Sequence, residues 1–247
     1  MVKNEEDVIG PAVRHLLAEG VDGIIVADNL STDRTRAILD DLAETNPVTV
    51  VDDPEVAYLQ SEKMTRLAGM ARERGATWIV PFDADELWMS PTGRLVDVIA
   101  QSDDADVLEA TWLQHYPVPS LRRSPFERMP LRLRAPHKMV KVALRARPDI
   151  TIGMGNHGVD GPEDLRYVPG RIVVHHYRYR SFRHFVEKSR AGKVALDAAG
   201  ESLRPESGLH WRRQGDQSTS RLLVTWINMY RRAVTEGVVL DGVRPSG

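Results

Sequence analysis

The sequence predicts an α/β protein with a mostly parallel sheet and flanking helices in its first half and a mixed second half. Apolar runs at residues 23–27, 48–51 and 78–82 are each followed by an aspartate, as in buried parallel strands that end in a turn. Apolar residues recur at helical spacing around residues 9–17, 31–42 and 64–71. A chain of 247 residues suits one domain of this class.

We expect this single domain to have three parts. Residues 1–100 form a nucleotide-binding half, residues 101–200 an acceptor and metal half, and residues 201–247 a mobile segment and a C-terminal amphipathic helix. Further strands are predicted at 107–113, 139–144 and 172–174, a helix at 182–199, and a long Pro- and Arg-rich loop at 114–137.

The opening strand is unusual, because only Met1-Val2-Lys3 precedes an acidic turn. We expect either that the first strand is very short or that the start of the chain has been placed too far downstream.

Composition excludes several classes of function. The net charge of -2 gives no global field that would attract nucleic acid, although peripheral membrane contact stays open. The chain has no cysteine, which excludes disulfides, thiolate catalysis and cysteine zinc sites. It has no apolar stretch of the ~18 residues that a membrane span needs. Its N-terminus lacks the order of a signal peptide, so we expect a cytoplasmic protein.

The acidic motif Asp83-Ala84-Asp85-Glu86 follows a predicted buried strand directly. On an extended backbone Asp83 and Asp85 point the same way, and two close carboxylates repel each other unless a cation lies between them. Mg²⁺ or Mn²⁺ suits such oxygen ligands, commonly bridges to phosphate, and would neutralise a leaving diphosphate. An isolated motif of this kind is more often a solvated turn, so its position at a strand end matters.

A second motif runs from Asp28 to Thr35 at the end of the first apolar run. Its Ser31-Thr32-Asp33 segment predicts a helix N-cap. A cap does not require Asp28, whose carboxylate is suited to hydrogen bonding with an N–H group of a base.

Together these motifs resemble the GT-A glycosyltransferases of family 2. Residues 1–6 look like the family's opening strand and turn, 28–35 like its second-strand motif, and 83–86 like its metal motif. Asn29 and Leu30 depart from the usual Asp-Gly of the second motif, so the base stays open, although UDP is the commonest choice.

The resemblance implies roles for individual residues. Asp28 would contact the base, Asp83 would approach the ribose, and Asp85 would bind the metal. Other residues of the same pocket would be Lys3, Asn4, Glu5, Gln60 and Lys63.

A late histidine pair, His175-His176, ends another predicted strand. Neighbouring strand residues point to opposite faces, so at most one can serve as a further metal ligand, and we favour His176. Arg178, with Arg180 and Lys188, would steady a diphosphate. Two half-exposed histidines beside a basic helix start are an equal alternative.

The glycine-rich stretch 153–164 suits a tight loop near a ligand. It contains three candidate general bases, Asp160, Asp164 and His157, one of which would deprotonate an acceptor hydroxyl in an inverting transfer. A plain surface loop is the alternative for each.

We therefore predict a metal-dependent hexosyltransferase that moves a sugar from a nucleoside-diphosphate sugar to a hydroxyl of an unknown glycan, lipid or small molecule. The alternatives are a nucleotidyltransferase-like enzyme and a non-catalytic module that binds nucleotide sugars on the same fold. The sequence has neither a G-x-G-x-x-G fingerprint after its first strand nor a Walker loop.

Overall fold

The computed structural model describes residues 1–118, 124–203, 208–241, 243 and 245. Its helices are α1 (Ile9–Ala18), α2 (Thr35–Thr45), α3 (Gln60–Glu73), α4 (Leu95–Ala100), α5 (Pro125–Arg128), α6 (Phe182–Ala199), α7 (Leu209–Gln214) and α8 (Thr219–Glu236). Its strands are β1 (Ile24–Asp28), β2 (Val48–Asp52), β3 (Trp78–Ile79), β4 (Glu86–Met89), β5 (Val107–Tyr116), β6 (Leu131–Leu133), β7 (Lys141–Arg145), β8 (Thr151–Ile152), β9 (Val159–Asp160), β10 (Tyr167–His176) and β11 (Val238–Leu240).

The first two predicted strands pair in parallel, with Ile24 opposite Val48 and Asp28 opposite Asp52. Since parallel strands share a direction, both aspartates lie at the same carboxyl edge, where α/β proteins bind ligands. The predicted helices α1, α2 and α3 are present. Gly75 follows α3 with φ +90°, the left-handed conformation that glycine tolerates at a helix end.

The remaining strands form a mixed sheet in the order β11-β6-β5-β10-β4, with β7 paired to β5 and β3 paired to β7. Strand β10 runs parallel to β5 and antiparallel to β4. His176 at the end of β10 therefore lies opposite Gln114 on one side and opposite Glu86 on the other. This register places the acidic motif beside the late histidine.

Two sequence predictions about local structure are wrong. Only Trp78–Ile79 of the third apolar run is a strand, and it pairs antiparallel with β7 instead of extending the parallel pair. The stretch 114–137 is not one long loop, because β5 continues to Tyr116 and both α5 and β6 follow. Pro125 opens α5, a position where the missing N–H group costs little.

The C-terminal part packs on α6. Phe185 of α6 contacts Trp226 of α8, with ring centroids 5.6 Å apart. Helix α7 lies within the segment that we expected to be mobile, and its Trp211 lies directly against Gly192 of α6. Residues 204–207 of that segment, like Arg122 and Arg123 of the Pro- and Arg-rich stretch, lie outside the described residues. None of the described helices is both long and apolar enough to cross a bilayer.

We predict that Gly192→Ala destabilises the protein by about 1–3 kcal/mol, the usual cost of overpacking. A methyl group at this position would overlap the rigid indole of Trp211. Thermal unfolding should show a lower Tm, by about 2–4 °C for each kcal/mol. The matched control is Gly69→Ala in α3, where a methyl group meets nothing within 4 Å and should leave Tm equal or raise it. An unchanged Tm for Gly192→Ala would contradict the packing of α7 on α6.

Candidate active site

The acidic motif lies in the turn that leads into β4, and each of its carboxylates has a lysine partner. Lys141, the first residue of β7, is buried, and its Nζ lies 2.8 Å from Asp83 Oδ2 and 2.7 Å from Glu86 Oε1. The same ammonium group donates to the carbonyl of Gly155 at 2.8 Å. Burial tends to lower the pKa of Lys141, but Asp83 and Glu86 outweigh it and raise that pKa. Lys141 is therefore a fixed internal cation.

Asp85 has a different lysine. Lys188 of α6 places its Nζ 2.6 Å from Asp85 Oδ2 and 3.1 Å from Glu5 Oε1. Arg180 lies 2.5 Å from the other oxygen of Glu5 and also pairs with Asp7. Burial alone would raise the pKa of Asp85, but Lys188 and His176 hold it well below its usual range. We call Asp83, Asp85, Glu86, Lys141 and Lys188 the acid–lysine cluster.

His176 faces this cluster from the end of β10. Its Nδ1 donates to Gln114 Oε1 at 3.0 Å, because that oxygen can only accept. Its Nε2 then carries the lone pair and lies 3.6 Å from Asp85 Oδ1. Burial lowers the pKa of His176, which keeps the ring neutral. Two acceptor atoms thus face each other, an arrangement that fits a divalent cation between an oriented histidine and a carboxylate.

Both carboxylate oxygens of Asp83, the third predicted metal ligand, lie beside protein nitrogen atoms. Asp83 directs one oxygen to Lys141, and its other oxygen lies 3.4 Å from the amide nitrogens of Gln60 and Asn156. Within the described ranges, no group of three or more His, Asp or Glu side chains is arranged to hold a metal. Of the predicted ligands, Asp85 and His176 could hold a cation: the carboxylate suits Mg²⁺ or Mn²⁺, and a bound phosphate and water would complete the shell.

The two N-terminal motifs are joined by hydrogen bonds. Asn4 Oδ1 accepts from the N–H of Thr32 at 2.8 Å, and the Asn4 N–H donates to Ser31 Oγ at 3.0 Å. Asp28 is buried at the end of β1, and its Oδ1 accepts from the Ser31 N–H at 3.3 Å. Ser31 and Thr32 thus hold the N-terminal turn against the end of β1. The Asp33 carboxylate is the group that accepts from a helix N–H, that of Thr35.

Gln60 and Lys63, which the family resemblance assigns to one pocket, contact different parts of the structure. Gln60 Oε1 accepts from the Tyr58 hydroxyl at 2.8 Å and from the Gly155 N–H at 2.9 Å, so Gln60 connects α3 to the glycine-rich loop beside Asp83. Lys63 is buried and pairs with Asp53 at 2.7 Å. Lys3 is exposed.

The glycine-rich stretch brings one of its three candidate bases to the site. His157 Nδ1 donates to the Val140 carbonyl at 2.7 Å, and the ring lies 4.9 Å from that of Trp112. Burial, with help from Lys141, lowers the pKa of His157 to about 4. Asp160 in β9 and Asp164 in the following turn are exposed, and no described contact links either carboxylate to the acid–lysine cluster.

Trp112 organises this side of the site. Its ring stacks on His176 at 4.9 Å and 29°, and Lys141 Nζ lies 5.2 Å from its centroid. Arg178 is half-buried, lies over the Tyr179 ring at 4.6 Å, and contributes to the lowered pKa of His176. Arg178 therefore adds positive charge near His176.

Sequence reasoning did not single out Lys141. A lysine inside the apolar run Val140-Lys141-Val142-Ala143-Leu144 is nevertheless a signal in the sequence, because it indicates a buried cation with an internal partner.

We predict that Lys141→Met destabilises the fold by about 3–5 kcal/mol, because Asp83 and Glu86 then lose the buried ammonium group that both contact. Burial raises the pKa of Glu86 to about 7 even beside Lys141, so this carboxyl group should take up a proton in the variant. Urea denaturation should show the loss of stability. The double variant with Glu86→Gln should recover part of it, since a neutral amide needs neither an ammonium partner nor a proton. Lys138→Met, at an exposed neighbouring position, is the matched control and should stay within about 0.5 kcal/mol of the parent. No recovery in the double variant would argue against the Lys141–Glu86 pair.

Comparison with solved structures gives low similarity over most of the chain. The crystal structure of S. aureus TarS 1-349 in complex with UDP is 13% identical, with 94% of this chain and 70% of that chain covered and a TM-score of 0.45. The structure of S. aureus TarS 1-349 is 11% identical, with 95% and 85% covered and a TM-score of 0.46. A comparison with curated protein sequences found no match.

A family model gives the decisive result. The model described as "Glycosyl transferase family 2" matches residues 1–143, which is more than half of the chain and includes the opening turn, the Asp28 motif and the acidic motif. The prediction of a GT-A type α/β fold is confirmed, as is the prediction of a glycosyltransferase. The chain belongs to glycosyl transferase family 2.

Proposed function

We propose that this glycosyltransferase moves a sugar from a nucleoside-diphosphate sugar, with UDP as the nucleotide, to an acceptor hydroxyl with inversion and with the help of Mg²⁺ or Mn²⁺. The observation that carries the proposal is the pair Asp85 and His176, whose acceptor atoms face each other across 3.6 Å beside cationic side chains. A diphosphate would supply the remaining oxygen ligands. A divalent cation bound there would neutralise charge on the leaving diphosphate.

The side chains around this pair suit a leaving group that gains negative charge. Lys188 already lies against Asp85, and Arg178 lies beside His176, so both can donate to phosphate oxygens. On the nucleotide side, Asp28 at the end of β1 would accept from the base. Glu5 and Asn4 hold the N-terminal turn against Thr35 and Thr32, beside the place proposed for the base.

His157 is the general base that the geometry favours. Its Nδ1–H group is held by the Val140 carbonyl, so Nε2 is free to accept a proton from the acceptor hydroxyl. The pKa of about 4 keeps the ring unprotonated at neutral pH. His157 and His176 both contact the Trp112 indole, so a base at His157 would act near a diphosphate bound at Asp85 and His176. The acceptor oxygen would then attack the anomeric carbon while the bond to the diphosphate breaks.

The acceptor is proposed to be a glycan, a lipid or a small molecule with a free hydroxyl. Trp112 offers an aromatic surface beside His157 on which a sugar ring can pack. We propose that the reaction takes place in the cytoplasm, in line with a chain that contains no cysteine.

The first test is the coupling of donor and metal binding. We expect UDP to bind more tightly with Mn²⁺ than without it, and this gain should fall by more than about tenfold in Asp85→Asn, since even changes in groups that only support a metal ligand cost this much. Isothermal titration calorimetry measures both affinities. Glu163→Gln, an exposed acid, is the control and should keep the gain. Equal UDP affinity with and without Mn²⁺ in the parent would contradict the metal role.

The second test separates the candidate bases. We expect His157→Gln to lower kcat by about 10²–10⁴-fold, the usual contribution of a general base, with little change in donor affinity. Asp160→Asn and Asp164→Asn are the matched comparisons and should change kcat little. The assay is sugar transfer, or slow hydrolysis of the nucleotide sugar until an acceptor is found. A large loss in Asp164→Asn with a small loss in His157→Gln would reverse the assignment.

A further inference from the structure

Helix α8 carries apolar side chains on two of its faces, and only one of them packs against the rest of the protein. On the inner face Leu222 and Ala233 are buried, and Trp226 contacts Phe182 and Phe185 of α6 at ring-centroid distances of 6.2 and 5.6 Å. One apolar stripe of this kind is what a surface helix needs to attach to a core. The inner face therefore explains how α8 is held, and it leaves a second set of apolar side chains to be explained.

The second set points to solvent. It consists of Leu223, Val224, Ile227 and Val234, whose exposed fractions lie between 43% and 66%. Leu223, Ile227 and Val234 follow one another at spacings of four and seven residues, so they share one side of the helix. Among the described helices, no other exposes more than one large apolar side chain. We call these four residues the outer face of α8, and apolar side chains exposed together in this way mark an interaction surface.

Positive charge accompanies the outer face. Around the helix, at about 100° per residue, Arg231 lies between Ile227 and Val224, and Arg221 and Arg232 come next to it. All three arginines are exposed. The sole acidic residue of α8 is Glu236, which pairs with Arg232, so three arginines and one glutamate give the helix a formal charge of +2. Within the described part of the chain, Arg221 and Arg231 form no ion pair.

The partner of this face must therefore be apolar and anionic at once. A second copy of α8 would supply apolar surface, but it would bring the same positive charge, and like charges oppose such an association. The surface of an anionic bilayer supplies both properties, because phosphate groups lie directly above acyl chains. Arginine suits this boundary, since its stem can lie along apolar groups while the guanidinium group reaches the phosphates.

We propose that the outer face of α8 binds the surface of an anionic lipid bilayer. Leu223, Ile227 and Val234 would enter the upper acyl region, and Arg221 and Arg231 would contact headgroup phosphates. The helix would lie parallel to the surface, because its inner face stays packed on α6. A lipid is one of the acceptor classes proposed above, but binding at this face does not depend on the acceptor, the sugar donor, the metal or the base.

The test is flotation of the full chain with lipid vesicles in the absence of nucleotide and metal. We expect binding to vesicles of phosphatidylglycerol mixed with phosphatidylcholine, and binding weaker by about tenfold or more to phosphatidylcholine alone. Added salt should weaken the first and leave the second unchanged.

Two double variants separate the apolar and the charged contributions. Ile227→Ser with Val234→Ser should lower affinity for the mixed vesicles by about tenfold or more, since both side chains leave water on binding. Arg221→Gln with Arg231→Gln should have a similar effect on the mixed vesicles and none on phosphatidylcholine. The matched control is Tyr167→Ser, which removes an exposed apolar side chain at the start of β10 and should keep the binding.

Thermal unfolding and UDP calorimetry show whether the variants stay folded and able to bind the donor. Because all the substituted side chains are exposed, Tm should change by no more than about 2 °C. Failure of the chain to bind mixed vesicles while it binds UDP would overturn this proposal and leave the proposed function standing. Equal vesicle binding by the parent and both double variants would also overturn it. So would a dimer in light scattering that the serine variant separates into monomers, since a second copy would then cover the outer face.

Discussion

The structure of the active site depends on how the chain compensates three carboxylates that it removes from water. Asp85 and Glu86 are almost fully buried, and Asp83 is partly so. A buried carboxylate without a partner would be strongly destabilising or would take up a proton. Lys188 of α6 holds the pKa of Asp85 well below its usual range, whereas burial raises the pKa of Glu86 to about 7 even beside Lys141 of β7. Charge compensation therefore also determines how these elements pack around β4.

The same compensation has a consequence for ligand binding. Lys188 shares its ammonium group between Asp85 and Glu5, and Glu5 is held in turn by Arg180. A divalent cation at Asp85 would compete with Lys188 for one carboxylate, and the released ammonium group would then be available to a phosphate oxygen. Binding of metal and of diphosphate should support each other. The metal would replace Lys188 as the partner of Asp85, and the diphosphate would replace Asp85 as the partner of Lys188.

The site residues that could be predicted from the sequence are those that directly follow an apolar, strand-like run. Asp28 and Asp85 follow apolar runs, and His176 follows another, so the α/β pattern and the family resemblance were enough to name these residues. Lys141 was missed because its partner Asp83 lies 58 residues earlier in the chain, and no local pattern specifies that distance. The pairing of β3 with β7 was missed for the same reason: an apolar run predicts burial, but it does not predict which edge the strand will use.

The N-terminal turn connects the end of β1 with the acid–lysine cluster. Val2 pairs with the end of β1, while Asn4 and Glu5, only a few residues later, contact Thr32 and Lys188. Because the turn is short, the position of Glu5 follows directly from the pairing of Val2. Glu5 in turn contacts Lys188, and Lys188 contacts Asp85, so the orientation of Asp85 depends on the N-terminal turn as well as on β4.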